Sequence, residues 1–187
     1  MPELTRYAFT VDEWHRMGEA GLFDEDARVE LLDGEVYQMA AIGNAHLACV
    51  NRLTRLLVAA AGDRAIVSVQ NPIRLDNHSE PQPDLVLLQP RPDDYATATP
   101  TARDAFLVIE VADSSLEWDR DRKAPRYAQA EAPACWIVDL NTGEILVLTG
   151  PTSEGFQDLH RARRGEVLAV PGLTGAQIVV DQVLGSA

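Results

Sequence analysis

The spacing of hydrophobic positions divides the chain into predicted helices and strands. Thr10 and Glu13 form a capping box, which predicts a short helix. A longer helix is predicted over residues 45–61, with Asn44 as its cap. Its apolar residues at helical spacing are Leu47, Ala48, Val50, Leu53, Leu57 and Val58. The predicted strands, two of them joined by an Asp-Gly turn, span residues 28–32, 35–40, 65–69, 73–75, 85–88, 106–111, 135–140 and 144–148.

The second half of the chain contains one more predicted helix and less regular segments. Residues 89–104 predict a long loop rich in Pro, Asp and Thr, and residues 114–122 form a charged entry segment. Pro125 suits the first turn of a helix that runs to about Ala132. The C-terminal part predicts edge strands or a small hairpin. This order of elements predicts an α/β fold, a mixed β-sheet flanked by helices, in a single domain over residues 1–187.

The chain is strongly acidic, with a net charge of −13 and a pI of about 4.6. Nucleic-acid binders gain much of their affinity from basic residues that neutralise phosphates, so this charge argues against a nucleic-acid function. Two features reduce the objection. A carboxylate-lined metal site adds negative charge that a bound cation offsets in part, and basic residues can cluster locally.

The cysteines and the absence of long apolar runs predict a cytoplasmic protein. Cys49 and Cys135 lie far apart in apolar surroundings without a CxxC motif, which is typical of buried reduced thiols. The N-terminal residues do not have the pattern of a signal peptide. The longest apolar run, residues 56–61, is too short to span a bilayer, so we expect no membrane partner.

Three ionisable residues next to apolar runs form the strongest candidate site. Asp84 opens the run at 85–88, and Glu110 ends the run at 106–109. Lys123 is the single lysine among 16 Lys and Arg residues, a bias that codon usage would also explain. Glu110 is the sharper signal, because a carboxylate inside an apolar strand is costly unless it is paired or metal-bound.

These residues suit metal-assisted cleavage of a phosphodiester. A hard divalent cation acidifies a bound water and stabilises the oxyanions that develop at phosphorus. Mg²⁺ needs only one or two carboxylates besides waters and substrate phosphate. Asp84 and Glu110 would supply them if their strands are neighbours, with the backbone carbonyl of Val111 as a candidate third ligand. Lys123 would orient the attacking water, or take its proton if desolvation lowers the pKa of the amine.

The order of these residues resembles the PD-(D/E)XK nuclease superfamily. In that pattern a lysine follows the second acid by two positions, and here that position is Ala112. A lysine on the following helix is a known variation of the superfamily. The resemblance implies that Lys123 fills this role.

A closer resemblance is to the Uma-two family of endonucleases, and it covers most of the chain. The matching segments are residues 29–35, His46, residues 82–86, residues 108–111, Asp119-x3-Lys123-x3-Tyr127-Ala128 and residues 136–139. Residues 112–115 depart from the family, since they read Ala-Asp-Ser-Ser where Ser-Pro-Ser is usual. The resemblance implies a restriction-endonuclease-like fold, phosphodiester hydrolysis with Mg²⁺ or Mn²⁺, and Glu30 as a third acid near the metal.

Each of these residues also has an ordinary structural interpretation. Asp84 suits a turn, and Glu110 would reach solvent from the end of its strand. Glu30 is equally well an exposed strand residue. His46 either contacts phosphate or assists at the site, or else faces solvent at the start of its helix. Tyr127, one helical turn beyond the candidate lysine, either shares its face or packs with its hydroxyl at the surface.

Arginines near the candidate lysine are candidate substrate contacts. Arg120, Arg122 and Arg126 lie in a mixed charged run and would meet phosphates if the site is real, although such runs are usually solvated. A second basic patch covers residues 161–164, where a solvated loop is the default interpretation. Asp139 is predicted to be a turn residue.

The sequence supports three functional hypotheses. The first is a metal-dependent nuclease that acts on nucleic acid, most naturally DNA, with Asp84, Glu110, Lys123 and Glu30 at its site. The second is a catalytically weak or inactive nuclease-fold protein that serves as a dimeric binding or regulatory module, which the acidic surface favours. The third is hydrolysis of a small phosphate ester. A homodimer is expected, because cutting both strands of a duplex needs two sites and twofold dimers are the commonest assembly.

Overall fold

The computed structural model describes residues 5–24 and 27–185, and these residues form a mixed β-sheet flanked by helices. The helices are α1 (Val11–Glu19), α2 (Asn44–Ala61), α3 (Leu116–Trp118), α4 (Ala124–Gln129) and α5 (Val180–Leu184). The predicted capping box is confirmed, because Thr10 and Glu13 satisfy each other's backbone N–H groups at the start of α1. None of the described helices is long and apolar enough to cross a bilayer.

Within the part of the chain that the structure describes, ten strands form one large sheet and two hairpins. They are β1 (Val29–Leu32), β2 (Glu35–Gln38), β3 (Ile66–Val69), β4 (Leu85–Leu88), β5 (Ala105–Ala112), β6 (Ala134–Asp139), β7 (Glu144–Thr152), β8 (Gly155–Ala162), β9 (Val167–Ala169) and β10 (Gln177–Val179). The six-stranded sheet has the order β3-β4-β5-β6-β7-β8, with β5 and β6 parallel and the other neighbours antiparallel. The remaining four strands pair as β1-β2 and β9-β10.

The central strands bury both of their faces, which explains their continuous apolar sequences. On β5, Leu107 and Ile109 belong to the hydrophobic cluster that includes α2, whereas Val108 and Ala112 belong to the cluster around α4. Glu110 has the same parity as Val108 and Ala112, so it lies on the α4 face. The site described below therefore develops on the side of the sheet that α4 covers.

The polypeptide between β5 and α4 differs from the predicted charged entry segment. Residues 116–118 form a short helix, and Asp119–Lys123 form a π-helical turn in which the N–H of Ala124 donates to the carbonyl of Asp119. Pro125 follows directly and has no N–H to donate, so a regular α-helical ladder cannot continue across it. Asp119 and Lys123 are both buried by this turn.

Other predicted elements were wrong in detail. Residues 73–75 are not a strand, because Arg74 makes an isolated bridge to Thr101 and the N–H of Leu75 turns back to the carbonyl of Ser79. The helix that contains Pro125 ends at Gln129 rather than near Ala132.

The long helix also differs in its cap and in its buried face. Gly43, not Asn44, is the N-cap of α2. Leu47 and Val58 are about half exposed, because the buried stripe of the helix runs through Cys49, Val50, Leu53 and Leu57.

Candidate active site

The pairing of β4 with β5 brings the two candidate carboxylates together. Leu85 pairs with Ile109 in antiparallel register, so Asp84 at the start of β4 lies across from Glu110 near the end of β5. The backbone N–H of Asp84 is 3.4 Å from Oε2 of Glu110. Both residues are buried. The requirement that their strands be neighbours is met.

Lys123 enters the same site from the π-helical turn. Its Nζ lies 2.8 Å from Oε1 of Glu110 and 3.1 Å from Oε2 of Glu30. Only 3% of the lysine side chain is exposed. The single lysine is therefore a buried cation that two carboxylates share, and a solvated surface position is excluded.

Glu30 comes from the β1-β2 hairpin and is held by two further donors. The backbone N–H of Gln82 donates to its Oε2 at 3.1 Å, and the indole N–H of Trp118 lies 3.4 Å from its Oε1. Glu30 is 4% exposed, so the interpretation as an exposed strand residue is wrong. The ring of Trp118 packs against Tyr37, with centroids 4.5 Å apart.

Asp84 is surrounded by hydrogen-bond donors. Its Oδ2 accepts from the backbone N–H of Val111 at 2.8 Å and lies 3.0 Å from Nε2 of His46. Its Oδ1 is 3.3 Å from the side-chain amide of Gln70. Burial alone would raise the pKa of Asp84, but the contact with His46 and the bonds from Val111 and Gln70 outweigh it and lower the pKa. His46 thus reaches the site instead of facing solvent.

Glu110 has the opposite electrostatic balance. Its burial raises its pKa to about 8, and the charges of Asp119, Asp84 and Glu30 act in the same direction against the attraction of Lys123. The hydroxyl of Tyr127 donates to Oε1 of Glu110 at 2.5 Å, so this hydroxyl is buried rather than at the surface. A nearby cation would stabilise the ionised form of this carboxyl.

Lys123 keeps its proton in this environment. Burial alone would lower the pKa of the amine, but the charges of Glu110, Glu30 and Asp119 outweigh it and raise the pKa. The condition under which the amine would take a proton from water, a pKa lowered by desolvation, is therefore not met in this environment. A protonated ammonium can donate hydrogen bonds and stabilise negative charge.

Asp119, which the family resemblance matched in Asp119-x3-Lys123 without a role, also lies at the candidate site. It is buried, and its Oδ2 accepts a hydrogen bond of 2.6 Å from the hydroxyl of Ser115. Burial raises its pKa, against the attraction of Lys123. The signal that could have identified it is its spacing of four positions from Lys123, which places both side chains on one side of a helix.

The candidate arginines lie outside the buried site. Arg120 pairs with Asp121 at 2.6 Å, and Arg126 pairs with Asp33 at 2.8 Å. Arg122 is half exposed, and its guanidinium lies over the ring of Trp118 at 5.5 Å from the centroid.

The second basic patch, residues 161–164, lies at the other end of the sheet. Arg161 and Arg163 pair there with Glu144. Asp139 accepts from the N–H groups of Asn141 and Thr142, which confirms it as a turn residue.

A cavity of about 110 Å³ opens onto the buried acids. At roughly 10–15 Å³ for one water, it has room for an ion with several waters. The charged residues and histidine that line it are Arg28, Glu30, His46, Asp84, Glu110, Asp113, Asp119 and Lys123. Carboxylates outnumber cations in this lining, which gives the cavity the charge that suits a divalent cation.

The donor set in this cavity fits a hard cation that keeps most of its waters. Among residues 5–24 and 27–185, no group of three or more His, Cys, Asp or Glu side chains is arranged to hold a metal ion. Asp84 and Glu110 nevertheless present two facing carboxylates, and Mg²⁺ needs only one or two besides waters.

Comparisons with known proteins agree with the geometry. The sequence profile of the Uma2 family, described as "Putative restriction endonuclease", matches residues 11–181. A search of curated proteins found no match. The crystal structure of a protein titled a "putative nuclease belonging to DUF820", from Anabaena variabilis ATCC 29413, superposes with a TM-score of 0.74 at 14% identity, covering 94% of this chain and 97% of that one. The predicted restriction-endonuclease-like fold is thus confirmed, and the protein belongs to the Uma2 family.

Proposed function

We propose that the protein is a metal-dependent endonuclease that hydrolyses phosphodiester bonds of DNA. The observation that carries this proposal is the convergence of Asp84, Glu110 and Lys123 in one cavity, with the ammonium 2.8 Å from Glu110. These residues come from a strand start, a strand end and a helical turn that are distant in the sequence. A purely structural role would not require their buried charges to line an open cavity.

Asp84 and Glu110 are the metal ligands in this proposal, with the backbone carbonyl of Val111 as the third. Mg²⁺ or Mn²⁺ fits them, because both ions accept carboxylate and carbonyl oxygens. Such an ion, when bound, lowers the pKa of a coordinated water and stabilises charge on the phosphoryl oxygens. The raised pKa of Glu110 is consistent with a carboxylate that becomes fully charged only beside a cation.

The other buried residues position Asp84 and Glu110 and influence their charge. Lys123 donates from its charged amine to the attacking water and to a non-bridging phosphate oxygen, while Glu30 keeps the amine in place. His46 and the N–H of Val111 fix the Oδ2 side of Asp84. The sequence-derived site is thereby extended by Asp119, whose charge faces the amine from the π-helical turn.

Substrate contacts are assigned to the margin of the cavity. Arg28 lines it, and Arg122 lies over Trp118, which also lines it. These guanidinium groups, with Arg120 and Arg126 farther out, are proposed to meet phosphates next to the cleaved bond. The acidic chain as a whole would repel the rest of a long duplex, so affinity should depend strongly on the divalent cation.

Three further expectations belong to this proposal. Both hydrophobic clusters include residues of β4, β5 and β6, which supports a single domain over residues 1–187. The buried free thiols of Cys49 and Cys135 support a cytoplasmic location. A homodimer would bring two sites to opposite strands of a duplex. Light scattering on the purified protein measures the last of these directly.

Nuclease assays with matched variants test the proposal. Purified protein is incubated with plasmid, double-stranded and single-stranded DNA, and RNA, in Mn²⁺, in Mg²⁺ and in EDTA. We expect cleavage that EDTA abolishes, that Glu110→Ala and Lys123→Ala reduce by at least about 100-fold, and that Glu144→Ala leaves unchanged. Equal residual cleavage by all three variants would identify a contaminant and remove the support for the proposal.

One observation favours a second candidate, a binding module with a vestigial site. Lys123 already contacts both Glu30 and Glu110, so the described residues form a compact ion-pair network without a metal. Calorimetric titration with Mn²⁺ separates the two candidates. Binding that Asp84→Ala abolishes supports the enzyme, whereas no binding to the wild-type protein supports the module.

A further inference from the structure

The backbone of Gln70 has a conformation that disfavours its own side chain. Gln70 follows the last residue of β3 and has a φ of 52°, in the left-handed region that glycine adopts without cost. Its N–H donates to the carbonyl of Asp84 at 3.0 Å, so the strained residue is tied to the start of β4. Strain of this kind persists where the surroundings impose it, often at functional sites.

The contact made by the Gln70 side chain explains why glutamine rather than glycine occupies this position. Its amide Nε2 lies 3.3 Å from Oδ1 of Asp84. The other oxygen of this carboxylate, Oδ2, is already bonded by the N–H of Val111 and contacted by His46. Gln70 therefore contacts Oδ1, the oxygen that Val111 and His46 do not contact. This contact limits rotation of the Asp84 carboxylate about its Cβ–Cγ bond.

Gln82 holds Gln70 in place and links it to a second acid. The side-chain amide of Gln82 donates to the carbonyl of Gln70 at 2.6 Å. The backbone N–H of the same residue donates to Oε2 of Glu30 at 3.1 Å. The hydrogen bonds of Gln70 and Gln82 thus connect the carboxylate of Asp84 with that of Glu30 across the site.

We propose that Gln70 is a positioning residue, which orients the Asp84 carboxylate toward a divalent cation while Gln82 holds it in its left-handed conformation. The inference rests on the proposed metal site and gives a role to Gln70, which is outside the family motifs and the site residues predicted from the sequence. Groups that orient a metal ligand typically change metal affinity by about 10- to 100-fold when they are removed. A residue needed only for the turn would be replaced by glycine without loss, because glycine suits this φ better.

Substitution by glycine separates the two roles. Gln70→Gly keeps the turn and removes the amide, while Gln70→Asn tolerates the left-handed region but is too short to reach Asp84. Glu131→Gly is the matched control, because Glu131 also has a positive φ of 69° and is exposed, outside the cavity lining. Each purified full-length protein is titrated with Mn²⁺ by calorimetry, and its thermal unfolding is followed by circular dichroism.

We expect Gln70→Gly and Gln70→Asn to bind Mn²⁺ about 10- to 100-fold more weakly than the wild-type protein. Their melting midpoints should stay within about 4 °C of the wild-type value. Glu131→Gly should bind with wild-type affinity. Wild-type affinity in either folded Gln70 variant would overturn the inference and leave the proposed function intact. Absence of Mn²⁺ binding by the wild-type protein, or binding that Asp84→Ala does not weaken, would instead overturn the proposed function and the inference with it.

Discussion

Two ion pairs of equal length show how much burial changes the energetic effect of a charged side chain. Nζ of Lys123 and Oε1 of Glu110 are 2.8 Å apart, as are Nε of Arg163 and Oε1 of Glu144. The first pair is almost completely buried, whereas 71% of the Arg163 side chain is exposed. Water screens the outer pair and can replace either partner, while each charge of the inner pair depends on the other. Distance alone therefore does not identify a functional pair.

The largest expected difference concerns loss of the cation from each pair. Lys123→Met should lower the free energy of unfolding by about 3 kcal/mol, because it leaves Glu30 and Glu110 buried without a counter-charge. Arg163→Met should lower it by less than about 1 kcal/mol. Urea unfolding of both variants without metal measures the difference. Equal losses would contradict the view that burial separates the two pairs.

Divalent cations should affect the two variants differently. A cation that enters the cavity would replace the missing ammonium in Lys123→Met, so its affinity there should exceed the wild-type affinity. At about 100 times its Kd, a ligand adds about 2.7 kcal/mol to the stability of the folded protein. As the Mn²⁺ concentration increases, the melting midpoint should thus rise more for Lys123→Met than for the wild-type protein. Arg163→Met should follow the wild-type curve, and a smaller rise for Lys123→Met would count against a cation site next to the ammonium.

Two tyrosine hydroxyls allow the same comparison without a formal charge. The hydroxyl of Tyr127 donates to Glu110 in the buried cluster, and that of Tyr95 donates to the carbonyl of Gln89 near the surface. Tyr127→Phe should lower the free energy of unfolding by about 2 kcal/mol, since it removes a donor from a buried carboxyl. Tyr95→Phe should change it by less than about 0.5 kcal/mol. Denaturant unfolding measures both changes in free energy, provided that the dependence of the free energy on denaturant concentration keeps the same slope.

The smallest expected effect is the pH dependence that comes from an exposed carboxylate. The backbone N–H of Thr10, helped by the hydroxyls of Tyr7 and Thr10, lowers the pKa of Glu13 from 4.5 to about 2. Because the folded-state pKa lies below the unfolded one, the stabilisation is present above the unfolded value and is lost as the pH falls toward the folded one. Thermal unfolding should show that Glu13→Gln is less stable than wild type at about pH 6 and that the gap narrows at about pH 3. A gap that keeps the same size at the lower pH would contradict this origin of the stabilisation.

The sequence predicted the centre of the sheet better than its margins. The strand at 85–88 has the predicted bounds, and β5 extends the predicted strand by one residue at each end. Continuous apolar runs mark these strands because both faces are buried. In β8 most side chains are exposed, so its sequence has no apolar period, and the prediction of edge strands or a hairpin in this region gave no bounds. The short helix α5 was missed for lack of a long periodic pattern.

The site was predictable where it depends on strand order and not where it depends on tertiary approach. Asp84 and Glu110 stand beside recognisable strands, so their proximity follows from pairing of β4 with β5. The contact of His46 with Asp84 arises because the start of α2 lies close to the start of β4, which no local pattern encodes. The left-handed backbone of Gln70 is likewise unpredictable, since glutamine is not a residue that normally marks such a turn.

The π-helical turn has a consequence for how this protein can vary in length. A single-residue insertion within residues 119–123 would turn every following side chain by about 100° about the helix axis, and Lys123 and Tyr127 would both point away from Glu110. A deletion there would convert the π-helical turn to an α-helical one and change the position of Asp119 relative to Lys123. We therefore expect homologues to accept insertions and deletions in the loop at residues 89–101, yet to keep the number of residues between Asp119 and Tyr127 fixed. Counting residues along that stretch is then a simple way to sort active from degenerate copies of the site.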